Sequence, residues 1–386
     1  MSNNIYNTDN QNSGKAPLRV IVSGGGTGGH IFPAISIANA LKAADNTIEI
    51  LFVGAESRME MEKVPAAGYK IIGLPVAGFN RKKLYLNFAV ILKLIKSLRK
   101  AKNIIKDFKP QAVVGVGGYA SGPMLRVAAN AGIPTYIQEQ NSYAGVTNKM
   151  LAKKAKKIFV AYEGMERFFP KDKLILAGNP VRQNLENTQS KRDEAFSYFG
   201  LEPCKTTILC IGGSLGAKTL NQSIFSELKT IGDSSVQVIW QSGSYYHNEA
   251  KKQLKTSGLD NIKLFDFISR MDLAYAAADV IISRAGASSI SELCIVGKPA
   301  ILVPSPNVAE DHQTKNALAL VKKDAAIMIS DSDAVKRLIP EAMKLAQNIE
   351  KCNSLALNIS KLALHKSAEN IAAEILKNIE HLKASN

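Results

Sequence analysis

The sequence predicts an α/β protein built from two parallel-sheet domains. Its 386 residues are too many for one ordinary domain and suit two. A short apolar strand, residues 18–23, runs into GGGTGGH (residues 24–30) and then into a helical pattern. Residues 206–211 run into GGSLGA (residues 212–217) in the same way. Short apolar runs alternate with helical patterns after both openings, which is typical of parallel sheets with right-handed crossovers.

The remaining elements follow in order along the chain. Further strands are predicted at residues 48–53, 112–114 and 135–138 in the first half, and at residues 236–240, 262–265, 280–283 and 300–303 in the second. GNPVR (residues 178–182) interrupts the pattern, so the domain boundary is predicted there. Residues 363–382 are predicted to form an amphipathic helix, because the apolar positions Ile371, Ile375, Ile379 and Leu382 share one face. The spacing leaves open which domain this helix packs on. A ligand cleft is expected where the carboxyl ends of the two sheets face each other.

Composition indicates a globular protein of a reducing compartment. Apolar residues make up 46% of the chain and charged residues 21%, which suffices for two cores. The four cysteines show neither a CxxC pair nor metal-ligand spacing, which argues against a disulfide framework. Residues 1–16 are polar and are interpreted as a disordered leader. No apolar run approaches the roughly 18 to 20 residues of a spanning helix, so a soluble or peripheral protein is expected.

The net charge of +16 is concentrated in two short segments. Residues 81–109 hold ten Lys or Arg against the single Asp107, and residues 149–157 hold five Lys and no acid. Together they account for +14, so the rest of the chain is nearly neutral. Such a basic patch indicates a polyanionic partner surface, either nucleic acid or anionic lipid.

The longer basic segment also carries apolar residues at partly helical spacing. The apolar positions are Leu84, Phe88, Ile91 and Ile95, and the interleaved cations are Lys82, Lys83, Lys93 and Lys96. Core packing explains part of this spacing, but a surface helix of this kind is also typical of peripheral proteins on anionic lipid. Because the segment matches no nucleic-acid-binding module, a membrane patch is favoured over nucleic acid.

The first glycine-rich loop contains G-x-G-x-x-G between a strand and a helix. Its glycines let backbone N–H groups approach a phosphate or a sugar at a helix N-terminus. A dinucleotide fold would end the second strand with an acid that holds a ribose. Here the strand ends in Val53-Gly54-Ala55, with Glu56 and Glu60 beyond it, so an NAD-dependent oxidoreductase is a strained alternative.

His30 directly follows this loop at the mouth of the predicted cleft. An imidazole titrates near neutral pH and can take a proton from an attacking sugar hydroxyl. His30 is therefore the candidate catalytic base, and a structural histidine is the competing interpretation.

Two further polar loops follow successive strands of the first half. EQNSYAG (residues 139–145) places Glu139 and Asn141 where they can contact a sugar. GVGGYASGP (residues 115–123) can form an anion-binding nest for an acceptor phosphate. The candidates in that nest are Gly117, Gly118, Tyr119 and Ser121. Such loops are often only turns, but two of them at successive strand ends favour a site.

The second half offers a matching set of polar loops. GGSLGA presents backbone donors and the Ser214 hydroxyl to a diphosphate, without the lysine of a Walker motif. SRAGASSISEL places Glu292 on a helix behind a small-residue turn, where its carboxylate can accept hydrogen bonds from both hydroxyls of a ribose. DHQTKNA begins the next helix with Gln313 and Asn316, which suit the hydroxyls of a sugar. Nothing there completes a metal-ligand set, so no metal is expected.

As a set, these motifs resemble glycosyltransferase family 28, specifically the bacterial enzymes that add N-acetylglucosamine (GlcNAc) to the undecaprenyl-linked muramyl-peptide intermediate of peptidoglycan. The motifs that carry the resemblance are, in order, GGTGGH, GGYASGP, EQN, GNPVR, GGSLGA, SRAGASSISEL and DHQTKNA. The resemblance covers nearly everything from Leu18 to the C-terminal helix. It implies a GT-B fold, in which two Rossmann-like domains face a cleft and the last helix crosses back to the first domain.

The resemblance also implies domain bounds and residue roles. Residues 17–181, with 366–386, would bind acceptor and membrane, and residues 182–365 would bind the donor UDP-GlcNAc. The expected donor contacts are Thr27, Gly28, Gly29, Asn141, Arg182, Ser214, Ile268, Ala287, Ser288, Ser291, Glu292 and Gln313. Glu292 is expected on the ribose, the backbone of Ile268 at the uracil edge and Gln313 on the sugar hydroxyls. His30 is the implied base for the C4 hydroxyl of the acceptor.

The implied reaction is a single inverting displacement at the anomeric carbon. Helix N-termini and Arg182 are expected to stabilise the charge on the leaving UDP, with no metal or other cofactor. The implied partners are UDP-GlcNAc, the undecaprenyl-linked muramyl-pentapeptide acceptor, an anionic membrane surface and proteins of wall synthesis, but no nucleic acid. The enzyme would act peripherally at the cytoplasmic face of the bacterial inner membrane, in peptidoglycan synthesis and hence in cell shape and division.

Other functions stay open on the sequence. Another UDP-sugar enzyme of the same fold, such as a glycolipid synthase or a UDP-GlcNAc epimerase, shares the nucleotide-sugar motifs, although an epimerase needs no membrane patch. An NAD-dependent oxidoreductase leaves the second glycine loop and the Glu292 segment without a purpose. A non-enzymatic membrane scaffold leaves both sets of cleft loops unexplained.

Overall fold

The structure is a computed structural model that describes residues 17–78, 87–182, 185, 188–213, 215–308 and 311–384. The predicted leader at residues 1–16 lies outside these ranges. So do four of the candidate residues, Lys82, Lys83, Leu84 and Ser214, and the side chain of Phe88 is likewise not described.

The first domain alternates strands and helices around one parallel sheet. Its elements are β1 (Arg19–Ser23), α1 (Gly28–Ala44), β2 (Glu49–Ala55), α2 (Glu60–Ala66), β3 (Lys70–Leu74), α3 (Asn87–Phe108), β4 (Ala112–Gly115), α4 (Ser121–Asn130), β5 (Thr135–Glu139), α5 (Val146–Ala152), β6 (Lys157–Val160) and β7 (Leu174–Leu176). The strand order is β3-β2-β1-β4-β5-β6-β7. Because side chains alternate along a strand, Val20 and Val22 of β1 pack in the core beneath α1, and Ile21 packs in the core beneath α3 and α4.

The second domain repeats this architecture with six parallel strands. Its elements are α6 (Arg192–Phe199), β8 (Thr207–Ile211), α7 (Lys218–Ser226), α8 (Leu228–Gly232), β9 (Gln237–Gln241), α9 (His247–Ser257), β10 (Ile262–Phe265), α10 (Met271–Ala277), β11 (Val280–Ser283), α11 (Ala287–Val296), β12 (Ala300–Leu302), α12 (His312–Val321), β13 (Ile327–Met328), α13 (Asp331–Ala346) and α14 (Ile349–Ser360). A last helix, α15 (Ser367–Ala384), follows them. The strand order is β10-β9-β8-β11-β12-β13. Here too one strand serves two cores: Ile281 of β11 faces one of them, and Val280 and Ile282 face the other. The prediction of two parallel-sheet α/β domains is confirmed.

The last helix, α15, packs on the first domain. Ile371, Ile375 and Ile379 are buried in the same core as Ile37 of α1. Residues four apart lie on one stripe of a helix, which explains why these isoleucines reach the core together. The helix therefore crosses back to the first domain, as expected.

Both sheets reverse their strand order at one place, between β1 and β4 in the first domain and between β8 and β11 in the second. At such a switch point the loops after the two central strands diverge and open a crevice at the carboxyl edge of the sheet. The first glycine loop and GVGGYASGP follow β1 and β4, and GGSLGA and SRAGASS follow β8 and β11. Contacts between α1 and α11 place these two edges against each other. All four predicted motif loops thus lie at the cleft.

The structure contains the predicted strands and four further ones, β3, β6, β7 and β13. The first sheet ends at Leu176 and the second begins at Thr207. The boundary predicted at residues 181–182 falls in this connection, and its position stays a prediction.

Candidate active site

The first glycine loop turns the chain from β1 into α1 through backbone conformations that suit glycine. Gly25 has φ of +148° and Gly26 has φ of +92°, which side chains with a Cβ rarely adopt. Helix α1 begins at Gly28 with Thr27 as its N-cap residue. Thr27 and Gly29 are exposed, so the N–H groups of the first turn are open at the cleft.

A buried carboxylate, Glu60 at the start of α2, holds this loop from beneath. Its side chain accepts hydrogen bonds from the backbone N–H groups of Gly26 and Ala55, both at 2.9 Å. It also fills the space beside Gly25 and Gly54, where any Cβ would collide with it. Sequence reasoning named Glu60 only as an acid beyond the second strand and missed this role. Since Glu60 is 1% exposed and bound to the backbone, it is not open to the ribose of a dinucleotide.

His30 lies between the first glycine loop and the loop that follows β4. The imidazole is half-buried, with Nδ1 3.3 Å from the hydroxyl of Thr27. Its ring packs against Gly117, where an added Cβ would lie 2.9 Å from Nε2. The structure therefore brings the candidate base to the switch point of the first domain.

Burial is the main cause that lowers the pKa of His30 below its ordinary value of 6.5. The carboxylates of Glu139 and Glu60 oppose this effect and raise the pKa, as does a hydrogen bond to the backbone of Gly25. His312 of the second domain lowers the pKa further. A pKa below 6.5 leaves the imidazole neutral at pH 7, which is the state a general base requires.

The loop after β4 is the second glycine loop (residues 115–123). Gly117 and Gly118 have φ of +97° and +83°, and a Cβ at Gly118 would collide with the carbonyl oxygen of Gly25. Tyr119 is 58% exposed. The Ser121 hydroxyl is buried and donates to the carbonyl of Gly117. Among the acceptor-site candidates, Ser121 therefore shapes the loop and Gly117 is buried against His30, whereas Gly118 is partly exposed and Tyr119 is exposed.

Glu139 is buried and organises the loop that follows β5. Its carboxylate accepts hydrogen bonds from the N–H groups of Asn141 at 3.1 Å and Gly145 at 2.9 Å, and from the side chain of Asn148 at 2.9 Å. Two residues were expected to contact a sugar. The carboxylate of Glu139 is buried and bonded within its own loop, whereas Asn141 is half-buried at the cleft.

Buried amide side chains join the two domains beside the cleft. Asn316 of α12 accepts hydrogen bonds from the N–H and the hydroxyl of Ser142, both at 3.0 Å, and its Nδ2 donates to Asn141 at 3.2 Å. Asn179, which follows β7, donates to the Ser291 hydroxyl at 3.0 Å. The interpretation of Asn316 as a sugar ligand is wrong, because the residue is 1% exposed and its amide is used between the domains.

Helix α11 starts at Ala287 behind Gly286, which supplies no side-chain cap. The N–H groups of this first turn are open, and the buried Ser288 hydroxyl has no hydrogen-bond partner among the described residues. Both suit an anionic ligand. One turn on, Glu292 accepts a hydrogen bond from Tyr275 at 2.8 Å and lies 3.6 Å from Arg182. Burial raises the pKa of Glu292, and Arg182 and the Tyr275 hydroxyl lower it.

Two further donor candidates lie on other segments of the second domain. Gln313 is half-buried in the first turn of α12, where its Oε1 accepts a hydrogen bond from the Ser305 N–H at 2.8 Å. The Ile268 side chain is 2% exposed, so only its backbone is available for a base edge. Across the parts of the chain that the structure covers, no group of three or more His, Cys, Asp or Glu side chains has the arrangement of a metal site.

Comparisons with known proteins assign the family. The model of the glycosyltransferase family 28 N-terminal domain matches residues 20–160, and that of the C-terminal domain matches residues 207–375. A protein of Parabacteroides distasonis named UDP-N-acetylglucosamine–N-acetylmuramyl-(pentapeptide) pyrophosphoryl-undecaprenol N-acetylglucosamine transferase is 63% identical over 362 residues. This match covers 94% of the chain and 98% of that protein. A protein of the same name from Bacteroides fragilis is 59% identical, and that match covers 96% of the chain and 98% of the relative.

Solved structures agree with this assignment. Acinetobacter baumannii MurG superposes with a TM-score of 0.76 at 28% identity, covering 94% of this chain and all of that one. The UDP-GlcNAc 2-epimerase of Neisseria meningitidis superposes with a TM-score of 0.65 at 15% identity, covering 94% of this chain and all of that one. At this identity the likeness shows the fold alone. The two family models together match most of the chain, and the chain belongs to glycosyltransferase family 28.

Proposed function

We propose that this protein transfers GlcNAc from UDP-GlcNAc to the C4 hydroxyl of muramyl-pentapeptide pyrophosphoryl-undecaprenol, with inversion at the anomeric carbon. The observation that carries the proposal is the 63% identity, over nearly the whole of both chains, to a relative named for this transfer. The oxidoreductase alternative is not favoured, because the Glu60 carboxylate that would hold a ribose is buried under the loop.

In this reaction His30 is the base. Its Nε2 takes the proton of the C4 hydroxyl while that oxygen forms a bond to the anomeric carbon and the bond from this carbon to the UDP oxygen breaks. The leaving UDP carries the electron pair. This role is supported by the location of the imidazole between the two glycine loops of the first domain, on a helix that contacts α11.

The second domain holds the donor. The start of α11, with Ala287, Ser288 and Ser291, faces the diphosphate, and Glu292 holds the ribose. Arg182 is exposed and its guanidinium lies 3.6 Å from Glu292, and we assign it to the charge on the leaving phosphate. Thr27, Gly28, Gly29 and Asn141 from the first domain and Ile268, Gln313 and Ser214 from the second complete the donor site.

The deciding experiment incubates the purified protein with labelled UDP-GlcNAc and a short-chain muramyl-pentapeptide diphospholipid. We expect a labelled disaccharide product whose new linkage is β. Donor binding without any transfer would contradict the acceptor assignment and leave nucleotide-sugar binding intact. Failure to bind UDP-GlcNAc would contradict the proposal as a whole.

The protein is further proposed to dock peripherally on the anionic cytoplasmic face of the inner membrane. No helix in the portion of the chain that the structure covers is long and apolar enough to cross a bilayer. On α3, Ile91, Leu92 and Ile95 are 40–47% exposed and alternate with Lys93 and Lys96. Exposed apolar residues bordered by cations on one helix are what an interfacial helix presents to anionic lipid.

Charge reversal on this helix should strongly weaken vesicle binding. We expect Lys93→Glu/Lys96→Glu to lower the partition onto phosphatidylglycerol-containing vesicles by roughly tenfold or more, because each cation near an anionic surface contributes about 1 kcal/mol. The measurement is vesicle co-sedimentation at low and high salt. The control, Lys336→Glu/Lys344→Glu on α13, makes the same change of net charge on the second domain. An equal loss of binding in both variants would reject a localised patch.

A further inference from the structure

The first glycine loop looks like a phosphate-binding loop by sequence, but its geometry differs in one respect. In a phosphate-binding loop, the N–H groups ahead of the helix and the positive end of the helix dipole are left for the anion of the ligand. Here the N–H of Gly26 already donates to the Glu60 carboxylate at 2.9 Å. The chain therefore supplies its own anion to an N–H group of the loop just ahead of helix α1, beneath the N–H groups that remain open at the cleft.

This arrangement is built into the local sequence. Gly25 and Gly54 are both adjacent to the Glu60 side chain, and a Cβ at either would collide with it. A second hydrogen bond, from the N–H of Ala55, fixes the carboxylate at the end of β2. With its side chain buried, Glu60 has no access to solvent or ligand. The two glycines thus make room for an internal carboxylate as well as for the turn.

The remaining donors of the loop face the cleft beside that negative charge. Within the described residues, the N–H groups of Thr27, Gly28 and Gly29 have no acceptor. A second anion at this point would be repelled by Glu60, which compensates the helix dipole already. An uncharged hydroxyl can accept from these N–H groups without that penalty.

We propose that Glu60 is a positioning residue that takes the anion place of the first glycine loop, so that this loop receives an uncharged sugar hydroxyl and the acceptor diphosphate binds at the second glycine loop. The inference rests on the proposed transfer reaction and assigns the two loops different ligand chemistry. The second loop offers backbone N–H groups for that diphosphate, because Gly117 and Gly118 open the turn and helix α4 begins without a side-chain cap.

The test replaces Glu60 by Gln, which keeps the size and one acceptor but removes the charge. The charged and titratable groups that face His30 are Glu60, Glu139 and His312. The Glu60 charge raises the pKa of His30, so removing it should lower this pKa and move the acid limb of kcat/KM to lower pH. We also expect kcat to fall at least roughly tenfold, because a displaced loop misplaces the base.

The matched control is Glu62→Gln, which removes the same charge two residues away on α2. The Glu62 side chain is 78% exposed and pairs with Lys63, so solvent and salt screen its charge from the glycine loop. The pH profile of this variant should coincide with that of the wild type. If Glu60→Gln lowers kcat but leaves the acid limb of kcat/KM at the same pH, Glu60 has a purely structural role and the proposal is overturned.

A second measurement uses the wild-type protein and does not depend on how the variant folds. With the donor site saturated by UDP, inorganic pyrophosphate is titrated while hydrogen–deuterium exchange is followed in peptides covering residues 24–30 and 115–123. We expect slower exchange in residues 115–123 and unchanged exchange in residues 24–30. Protection of residues 24–30, or of neither segment, would overturn the assignment of the two loops. A wild-type protein that transfers no GlcNAc would instead refute the proposed function, and this exchange experiment separates the two outcomes.

Discussion

Replacing His30 by Ala is expected to lower turnover by about 10²- to 10⁴-fold, the usual contribution of a general base. The donor dissociation constant should stay nearly unchanged, because the diphosphate and the ribose of the donor are assigned to α11 of the second domain, whereas the His30 ring packs on Gly117 of the first. Single-turnover transfer and equilibrium binding of UDP-GlcNAc measure the two quantities separately. An equal loss of affinity and turnover would assign His30 to donor binding.

The pH dependence gives the same hypothesis a second readout. The base acts when neutral, so the wild-type rate should fall as pH drops through the pKa of His30, which burial places below 6.5. His30→Ala should lack this limb. The control is His247→Ala. Like His30, His247 is half-buried, and its Nδ1 lies 3.3 Å from a hydroxyl, that of Ser242. It differs in lying on α9 of the second domain. It should retain both the rate and the limb.

The sequence was sufficient for the architecture because the strongest signals are local. Each strand–glycine loop–helix unit carries its own periodicity and its own turn residues, and the order of such units fixes a parallel sheet. The strands that were missed are short or atypical. β13 has two residues and β7 has three, too few to show any period, and β3 carries Gly73 in a sequence of mixed polarity.

Within the site, sequence reasoning found the loops but misassigned some of their side chains. Glu139, Ser121 and Asn316 all occur in motifs at the cleft, yet each is buried with its polar atoms bound inside the protein. Which way a polar side chain points depends on neighbours from distant strands, and no local pattern records that. Glu60 is the opposite case, a residue whose contact with the site was not predicted. Its partner Gly26 is 34 residues away, and the two meet only because β1 and β2 are adjacent.

Glu292 should be the side chain whose loss weakens donor binding most. The carboxylate is 12% exposed and is oriented by the Tyr275 hydroxyl at 2.8 Å, and we propose that it accepts hydrogen bonds from both ribose hydroxyls. Hydrogen bonds to a charged group contribute about 1.5–3 kcal/mol, so Glu292→Gln should raise the dissociation constant of UDP-GlcNAc about 10- to 100-fold. Titration calorimetry with UDP and UDP-GlcNAc measures this change. The control, Glu194→Gln, removes another arginine-paired carboxylate, at the surface of α6, and should leave affinity unchanged.

A double-mutant cycle tests whether that loss belongs to the ribose. Removing Glu292 also removes a negative charge near the diphosphate, which favours binding and partly masks the lost hydrogen bonds. Comparing UDP with 2′-deoxy-UDP in both proteins cancels this electrostatic contribution, since both ligands carry the same phosphates. Wild type should discriminate strongly against the deoxy ligand, and Glu292→Gln should discriminate little. Equal discrimination in both proteins would show that Glu292 does not touch the 2′-hydroxyl. The carboxylate would then act on Arg182, its ion-pair partner at 3.6 Å, and through it on the leaving phosphate.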